Sequence, residues 1–374
     1  MESLDDKINR LLSMAPYSQA PEEKQANLLE LLKAELHYAC QRHAGYDNYV
    51  RGWPVDYREA GQVAALPYLP VGVLKANPPL SLVSPEEIKR TLTSSATTSQ
   101  SPSRVAIDLP TSRRMTKGVI NIVRDFIGTS RRPYLVVDVA GMTGASSEMG
   151  ARGAAIQGLQ PFASDVKYCL ALDAKGELQL DKTILEEFTR NWQGAEVLVY
   201  GFTYILWNHL VKPLLAEGVC LNMPKVHILH SGGWKRLQEQ AVEKSFFNEG
   251  LAKVFGCSPG RVVDFYGMVE SVGVIFPDCA EGNKHAPAFG EVIVRNPLTL
   301  EPVGPEEFGI VQVCSILPTS FPGHLLLTED LARVIAYDGC PCGRRGISFR
   351  FAGRVPKAEV RGCGNLQSKR APMN

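Results

Sequence analysis

The sequence predicts an α/β fold, with a mostly parallel sheet followed by an antiparallel β unit and a short C-terminal appendage. Three observations carry this. From about residue 90 to 270, short apolar runs alternate with longer helical stretches, the pattern of strands joined by crossover helices. Beyond about 270 the runs shorten and are separated by Gly, Pro and Asp, which reads as antiparallel strands. The composition supports a sizeable core: 374 residues, 45% hydrophobic and 21% charged.

Residues 1 to about 45 read as helical. Leu28, Leu29, Leu31, Leu32, Leu36 and Ala39 form a broad apolar face, and Pro21 with two glutamates marks a start. The stretch 52–79 carries prolines at 67, 70, 78 and 79, so it is expected as an extended connector. Strands are expected at 103–107, 133–140, 196–200 and 225–230, with helices at 112–128, 183–192, 206–217 and 234–255. The segments 290–296, 309–315, 324–330 and 331–337 read as four short strands of the β unit. This divides the chain into 1–90, a helical region and connector; 91–274, an α/β core; 275–354, a β-rich unit; and 355–374, a tail.

Charge and hydropathy exclude several classes. Forty Lys+Arg against thirty-nine Asp+Glu leave +1, which argues against a dedicated nucleic-acid binder. No apolar run reaches the roughly 18 residues that cross a bilayer. The acidic start MESLDDKINR lacks the basic-then-apolar order of an export signal, so a cytoplasmic location is expected. Nine cysteines are too few for a dense disulfide framework and leave at least one thiol unpaired.

Several motifs can carry chemistry. TLTSSATTSQSPSR (91–104) is rich in Ser and Thr, whose hydroxyls, with backbone N–H groups, can wrap phosphate oxygens; a solvated linker has the same composition. DFYGMVES (264–271) runs a strand into Tyr266, Gly267 and the carboxylate Glu270, which can hold Mg²⁺ or can be a surface acid. Asp330, after an apolar run, can accept hydrogen bonds from a ribose, as any turn acid can. Cys279 and His285, with Cys340 and Cys342, supply three thiols and an imidazole, the donor set of a structural zinc site; buried free cysteines fit the same spacing. Cys363 lies between Gly362 and Gly364 near Arg361, Lys369 and Arg370, and positive neighbours favour the reactive thiolate. His230 and Lys235 flank Ser231-Gly232-Gly233, where they can meet a substrate or simply end a strand and start a helix.

In order along the chain, TSSATTSQSPSR, YGFT (200–203), HSGGWK (230–235), FYGMVES, LTEDLARV, CPCGRRG (340–346) and AGRVPKAEVRGCG (352–364) resemble the adenylate-forming enzymes. More closely, the chain is similar to the LuxE-type acyl-protein synthetases, with phenylacetate–CoA ligases as next relatives, over most of 65–365. The resemblance implies the N-terminal domain fold of adenylate-forming enzymes, ATP and Mg²⁺ as cofactors, and a carboxylic, fatty acid substrate. It implies an acyl-adenylate followed by transfer to a thiol, then handover to an acyl reductase or acyltransferase partner.

By position it implies that Ser94, Ser95, Thr97 and Thr98 hold phosphates. Tyr266 and Gly267 lie by the adenine, Glu270 ligates Mg²⁺, Asp330 binds ribose and Arg354 sits at a hinge. Cys363 accepts the acyl group; beside these, His230 with Gly232 and Gly233 can line the acid site or end a strand, and Lys235 can meet carboxylate or phosphate or be a solvated helix-start lysine. Some phenylacetate–CoA ligase relatives bind zinc through a matching Cys/His set, which would staple the β unit. The family's usual C-terminal lid, on the order of 100 residues, is expected to be reduced here to the twenty residues after Arg354, which favours transfer to the chain's own thiol. Ala96 and Ser99 stand where the family loop carries glycine, and positive φ is costly for both. A coenzyme A or amide ligase, and a zinc-stabilised scaffold without catalysis, are the alternative readings.

Overall fold

The computed structural model describes residues 4–76, 78–94, 101–141, 148–234 and 239–355. Three helices open the chain: α1 (Leu4–Ser13), α2 (Pro21–Arg42) and α3 (Ala44–Arg51). Pro21, Glu22 and Glu23 sit in the first turn of α2, where a missing N–H costs nothing and negative charge is favoured. His43 ends α2 and caps α3, its Nδ1 accepting from Tyr46 N–H at 3.0 Å.

The connector is not simply extended. Two short 3₁₀ turns, Val63–Ala65 and Val71–Lys75, flank β1 (Leu69–Pro70). Next come β2 (Arg90–Thr93), β3 (Arg104–Ile107) and α4 (Leu109–Ile127). Helix α4 starts three residues before the expected 112, because the Asp108 carboxylate accepts from Thr111 N–H at 2.8 Å and Pro110 preforms the first turn. Gly128, at φ 77°, closes it.

The middle of the chain alternates as expected. It runs β4 (Arg132–Val139), β5 (Glu148–Gly150), α5 (Ala151–Leu159), β6 (Ala163–Leu172), β7 (Leu178–Leu180), α6 (Lys182–Trp192) and β8 (Val197–Phe202). The expected helix at 206–217 is three pieces: α7 (Thr203–Ile205), a π-helical turn (Leu206–Val211) and α8 (Lys212–Ala216). Pro213, with no N–H to donate, stands in the first turn of α8, just past the wide turn.

After β9 (Val226–Ser231), the expected long helix 234–255 is corrected. Helix α9 begins only at Lys244 and runs to Phe255. Gly232 and Gly233, just before the expected start, both have positive φ, residues 235–238 lie outside the described ones, and Glu243 is not helical. Then follow β10 (Val262–Tyr266), β11 (Phe276–Pro277), β12 (Lys284–His285), β13 (Gly290–Arg295), β14 (Phe308–Ser315), β15 (Leu325–Ala336) and β16 (Ser348–Arg354). The two short strands expected at 324–330 and 331–337 are one strand, β15, whose register against β16 shifts between Leu331 and Ala332.

Among the described residues the strands form three sheets. The largest has the order β11-β10-β9-β8-β4-β6-β7, parallel except for its two edge strands. The second, antiparallel, has the order β12-β16-β15-β14-β13, and β1 pairs with β15 in parallel. The third is β3-β2-β5. One core joins the N-terminal helices to the antiparallel sheet, with Leu28, Leu32 and Leu36 sharing a cluster with Val292, Val313 and Leu326. The other lies around the parallel sheet, where Val136, Val199 and Ile228 share a cluster with Leu210, Phe247 and Leu251. Among the described residues no helix is long and apolar enough to cross a membrane.

Candidate functional site

Open α/β sheets bind ligands beyond the carboxyl ends of their parallel strands. Here those ends carry Phe202, Ser231 and Tyr266 on β8, β9 and β10, and the antiparallel sheet meets Tyr266 through Asp330 on β15 and Phe351 on β16.

The meeting point is polar. The Tyr266 hydroxyl donates to Asp330 Oδ2 at 2.7 Å, and Arg354 Nε donates to Asp330 Oδ1 at 3.2 Å. Asp330 and Arg354 are cross-strand partners on β15 and β16. Burial raises the Asp330 pKa, and the bonds from Tyr266 and Arg354 oppose that rise. Three residues expected around one nucleotide are thus brought into direct contact. Phe351 joins them: its ring stacks on Tyr266 at 5.1 Å and 25° while remaining 41% exposed. Phe351 was missed in the sequence. Its one signal is the polar–apolar alternation of SFRFAGR, which marks a strand but not a stacking partner.

Glu270 lies four residues beyond β10 and is buried. A turn holds its neighbourhood, with Ser271 N–H donating to Met268 O and Val274 N–H to Ser271 O. The Ser271 hydroxyl is buried without a partner. Below this loop the chain touches α4 backbone to backbone. A Cβ on Gly273, at φ 77°, would lie 2.4 Å from Met115 Cα, and one on Gly118 would lie 2.7 Å from Gly273 O. One carboxylate plus substrate phosphates is an ordinary magnesium donor set, and Glu270 fits it.

At the base of the Ser/Thr loop, Ser94 N–H donates to Ser103 O at 3.0 Å, and Ser103 N–H donates to Ser94 Oγ at 2.9 Å. The Ser94 oxygen therefore closes the base of the loop. The Ser103 hydroxyl is buried and unpartnered. Ser95, Thr97, Thr98, Lys235 and Cys363 lie outside the described residues.

His230 is buried at the end of β9, its ring against Phe247. The Thr203 hydroxyl donates to Ser231 O at 3.1 Å, so His230 is assigned as donating from Nδ1 to Thr203 Oγ at 3.0 Å. Asp264 Oδ1 lies 3.6 Å from the same nitrogen. Burial lowers the His230 pKa and so disfavours the charged ring. Its Nε2 is buried without a partner. Gly232, at φ 85°, gives the chain its turn after the strand; a Cβ there would meet the Phe202 ring at 2.9 Å. Gly233 follows at φ 56°, and Gly267 leaves the end of β10.

Asp264 belongs to a chain of charges. Lys284 is buried, and its Nζ lies 3.2 Å from Asp264 Oδ2 and 3.1 Å from Asp278 Oδ1. Lys244, the first residue of α9, pairs with the other oxygen of Asp278. Burial works against the Lys284 charge, but Asp264 and Asp278 outweigh it and hold its pKa above the usual lysine value.

Cys279, His285, Cys340 and Cys342 come together, their donor atoms all within 4.8 Å of one another. Cys279 Sγ and Cys340 Sγ are 4.0 Å apart, and Cys342 Sγ lies 3.4 Å from His285 Nε2. Tetrahedral zinc with bonds of about 2.0–2.3 Å sets donor separations near 3.5–3.8 Å, so the group fits that ion. The sequence spacing alone had left open free buried cysteines, and the clustering of all four donors favours a site.

A model of the acyl-protein synthetase family, LuxE, matches residues 2–371. The long-chain-fatty-acid–luciferin-component ligase of Vibrio harveyi is 24% identical over 196 residues, 52% of this chain and 50% of that protein. Its counterpart from Aliivibrio fischeri is 22% identical over 191 residues, 50% of this chain and 49% of that protein. The chain spans about half the length of these curated relatives. Among solved structures, 2-hydroxyisobutyryl-CoA ligase in an open conformation with 2-HIB-AMP and CoA superposes with a TM-score of 0.69 at 16% identity, covering 96% of this chain and 84% of that one. The same ligase in a postadenylation state with R3-HIB-AMP gives 0.67 at 17%, covering 91% and 69%. At these identities the likeness shows the fold alone, which this chain shares with that ligase.

Proposed function

This chain belongs to the LuxE acyl-protein synthetase family, and on that premise we propose that it activates a fatty acid with ATP and passes the acyl group to Cys363. In the first step a carboxylate oxygen attacks the α-phosphorus and pyrophosphate leaves, giving the acyl-adenylate. In the second the Cys363 sulfur attacks the acyl carbonyl carbon, AMP leaves, the thiol proton is released and a thioester forms. An acyl reductase or acyltransferase then takes the group, and a cytoplasmic setting suits the ATP and free thiol this chemistry uses.

The observation that carries the reading is the convergence of Tyr266, Asp330, Arg354 and Phe351 beside Glu270. Aromatic faces suit an adenine, and a carboxylate braced by two donors suits a ribose. The Ser/Thr loop, Ser94 with Ser95, Thr97 and Thr98, supplies donors to the phosphates. Glu270 would hold magnesium, which neutralises charge that develops on the phosphates. His230, Gly232, Gly233 and Lys235 form the acid-binding side. Cys279, His285, Cys340 and Cys342 would hold a structural zinc with all four positions filled by protein, so the ion braces the fold and takes no substrate.

The test uses ATP, Mg²⁺ and a radiolabelled fatty acid. Label should remain on the protein after denaturation, and Cys363→Ala should abolish retention while pyrophosphate release continues. Glu270→Gln should slow pyrophosphate release by roughly 10²–10³-fold, the size of losing one preorganised charge contact. Label retained equally by Cys363→Ala, or rapid turnover that needs only coenzyme A, would overturn the acceptor assignment.

A further inference from the structure

The Cys/His cluster and the acid-binding end of the main sheet are joined by a short, rigid route. Cys279 and His285 sit on one hairpin that leaves the parallel sheet at β11 and enters the antiparallel sheet at β12. The hairpin is tightly closed: Asp278 bridges to Lys284, Cys279 N–H donates to Asn283 O at 2.8 Å, and Gly282 turns at φ 69°. The residues beside the two ligands, Asp278 and Lys284, face inward and are buried. Asp278 N–H donates to Asp264 O at 2.8 Å, and Lys284 Nζ approaches the same oxygen at 3.4 Å. Asp264 in turn is the strand partner of His230 and stands 3.6 Å from its Nδ1. Lys244, Asp278, Lys284 and Asp264 make two cations and two anions, a neutral chain in which Lys284 is the central link.

We propose that Lys284 is a positioning residue: by bridging Asp278 to Asp264, it ties the Cys279–His285 hairpin to His230 and makes the ring's orientation depend on the state of the Cys/His cluster. That this orientation matters to the acid rests on the function proposed above; the coupling itself does not. If the hairpin loosens, Lys284 moves, Asp264 Oδ2 loses its cation, and the carboxylate whose Oδ1 faces His230 Nδ1 at 3.6 Å is freed to turn. The two ring nitrogens are set by what each faces, so the change registers at the ring.

The coupling is read by nitrogen-15 NMR of the histidine rings in the full chain, with His230 assigned through His230→Gln. Zinc-loaded protein should show the neutral ring protonated at Nδ1. Stripping zinc with a chelator should move the His230 signal. Lys284→Met should move it in the same direction with the zinc content unchanged, and chelation of that variant should add nothing. Lys284→Arg should restore the original signal, and the KM for the acid should rise about tenfold in Lys284→Met with the KM for ATP unchanged. If Lys284→Met does not fold, Asp278→Asn cuts the same link and carries the same expectation. A His230 signal indifferent to these substitutions, or one that chelation moves equally with and without Lys284, overturns the proposal. A signal that moves while the KM for the acid stays fixed upholds the coupling and rejects His230 as an acid-side residue.

Discussion

The two cores place their charges differently. Around the parallel sheet, helices cover both faces, so β4 and β8 are buried almost throughout and read as continuous apolar runs. Most polar groups there sit at the ends of elements, with Arg132 and Asp138 towards opposite ends of β4 and Asp181 capping α6; Asp264, in the middle of β10, is the exception and pairs with Lys284. Between the N-terminal helices and the antiparallel sheet, charges lie inside the contact. Lys24 on α2 reaches Glu291 on β13 at 3.2 Å and Ala286 O at 3.0 Å. Arg114 on α4, which also donates to Ile316 O just past β14, bridges the buried Glu35 on α2 at 3.0 Å and the exposed Asp5 on α1 at 2.6 Å. The first body is held by area, and the second also by specific ties between segments far apart in sequence. Register of the N-terminal helices on the β unit therefore rests on a few side chains.

The sharpest way to break this contrast is to cut one tie. Lys24→Met should cost roughly 3–5 kcal/mol, the penalty for leaving Glu291 buried without its cation. Urea unfolding followed at Trp53, which packs on Tyr68 in this core, should show the loss. A loss under 1 kcal/mol would mean that area alone holds both bodies.

Next in size is a pH effect. Burial pushes the Glu35 carboxyl up to about 7 against the pull of Arg114. From about pH 4.5 to 7 the native chain keeps a proton that the unfolded chain has released, so stability falls as pH rises through this window. The full effect is on the order of 3 kcal/mol. Glu35→Gln, which carries no charge to bury and can still accept from Arg114, should flatten that slope. Parallel urea midpoints for the two proteins from pH 5 to 8 would refute it.

The smallest effect belongs to the other body. The Asp181 carboxylate accepts from Ile184 N–H at 3.0 Å, and Asp181→Ala should cost about 1 kcal/mol. A cost matching that of Lys24→Met would erase the distinction between end groups and internal ties.

The same contrast explains what the sequence disclosed. Strands β4, β8 and β9 stand out because their apolar runs record a local fact, burial on both faces. Strand β6 does not stand out: in ASDVKYCLAL exposed and half-buried positions follow one another without a period, and α5 is equally unmarked. Lys24 sits among Glu22, Glu23 and Gln25, which look like a solvated turn, yet its ammonium is buried. Its partner is 267 positions away, and no local pattern encodes that pairing. The site divides likewise. Tyr266, Glu270, Asp330 and Arg354 announce themselves through short motifs, and the four Cys/His donors through their residue types. Asp264, Lys284 and Phe351 matter through neighbours on other strands, so their roles became readable only in three dimensions.

The facing pair Gly118 and Gly273 leaves no gap between α4 and the loop that begins at Glu270. A library covering every codon should therefore find both positions as intolerant as a reactive centre, although neither glycine has a functional group to lose. Screens that equate sensitivity with chemistry would mark them as false hits. Drift in this lineage is confined at the two sites by the thickness of a bare backbone.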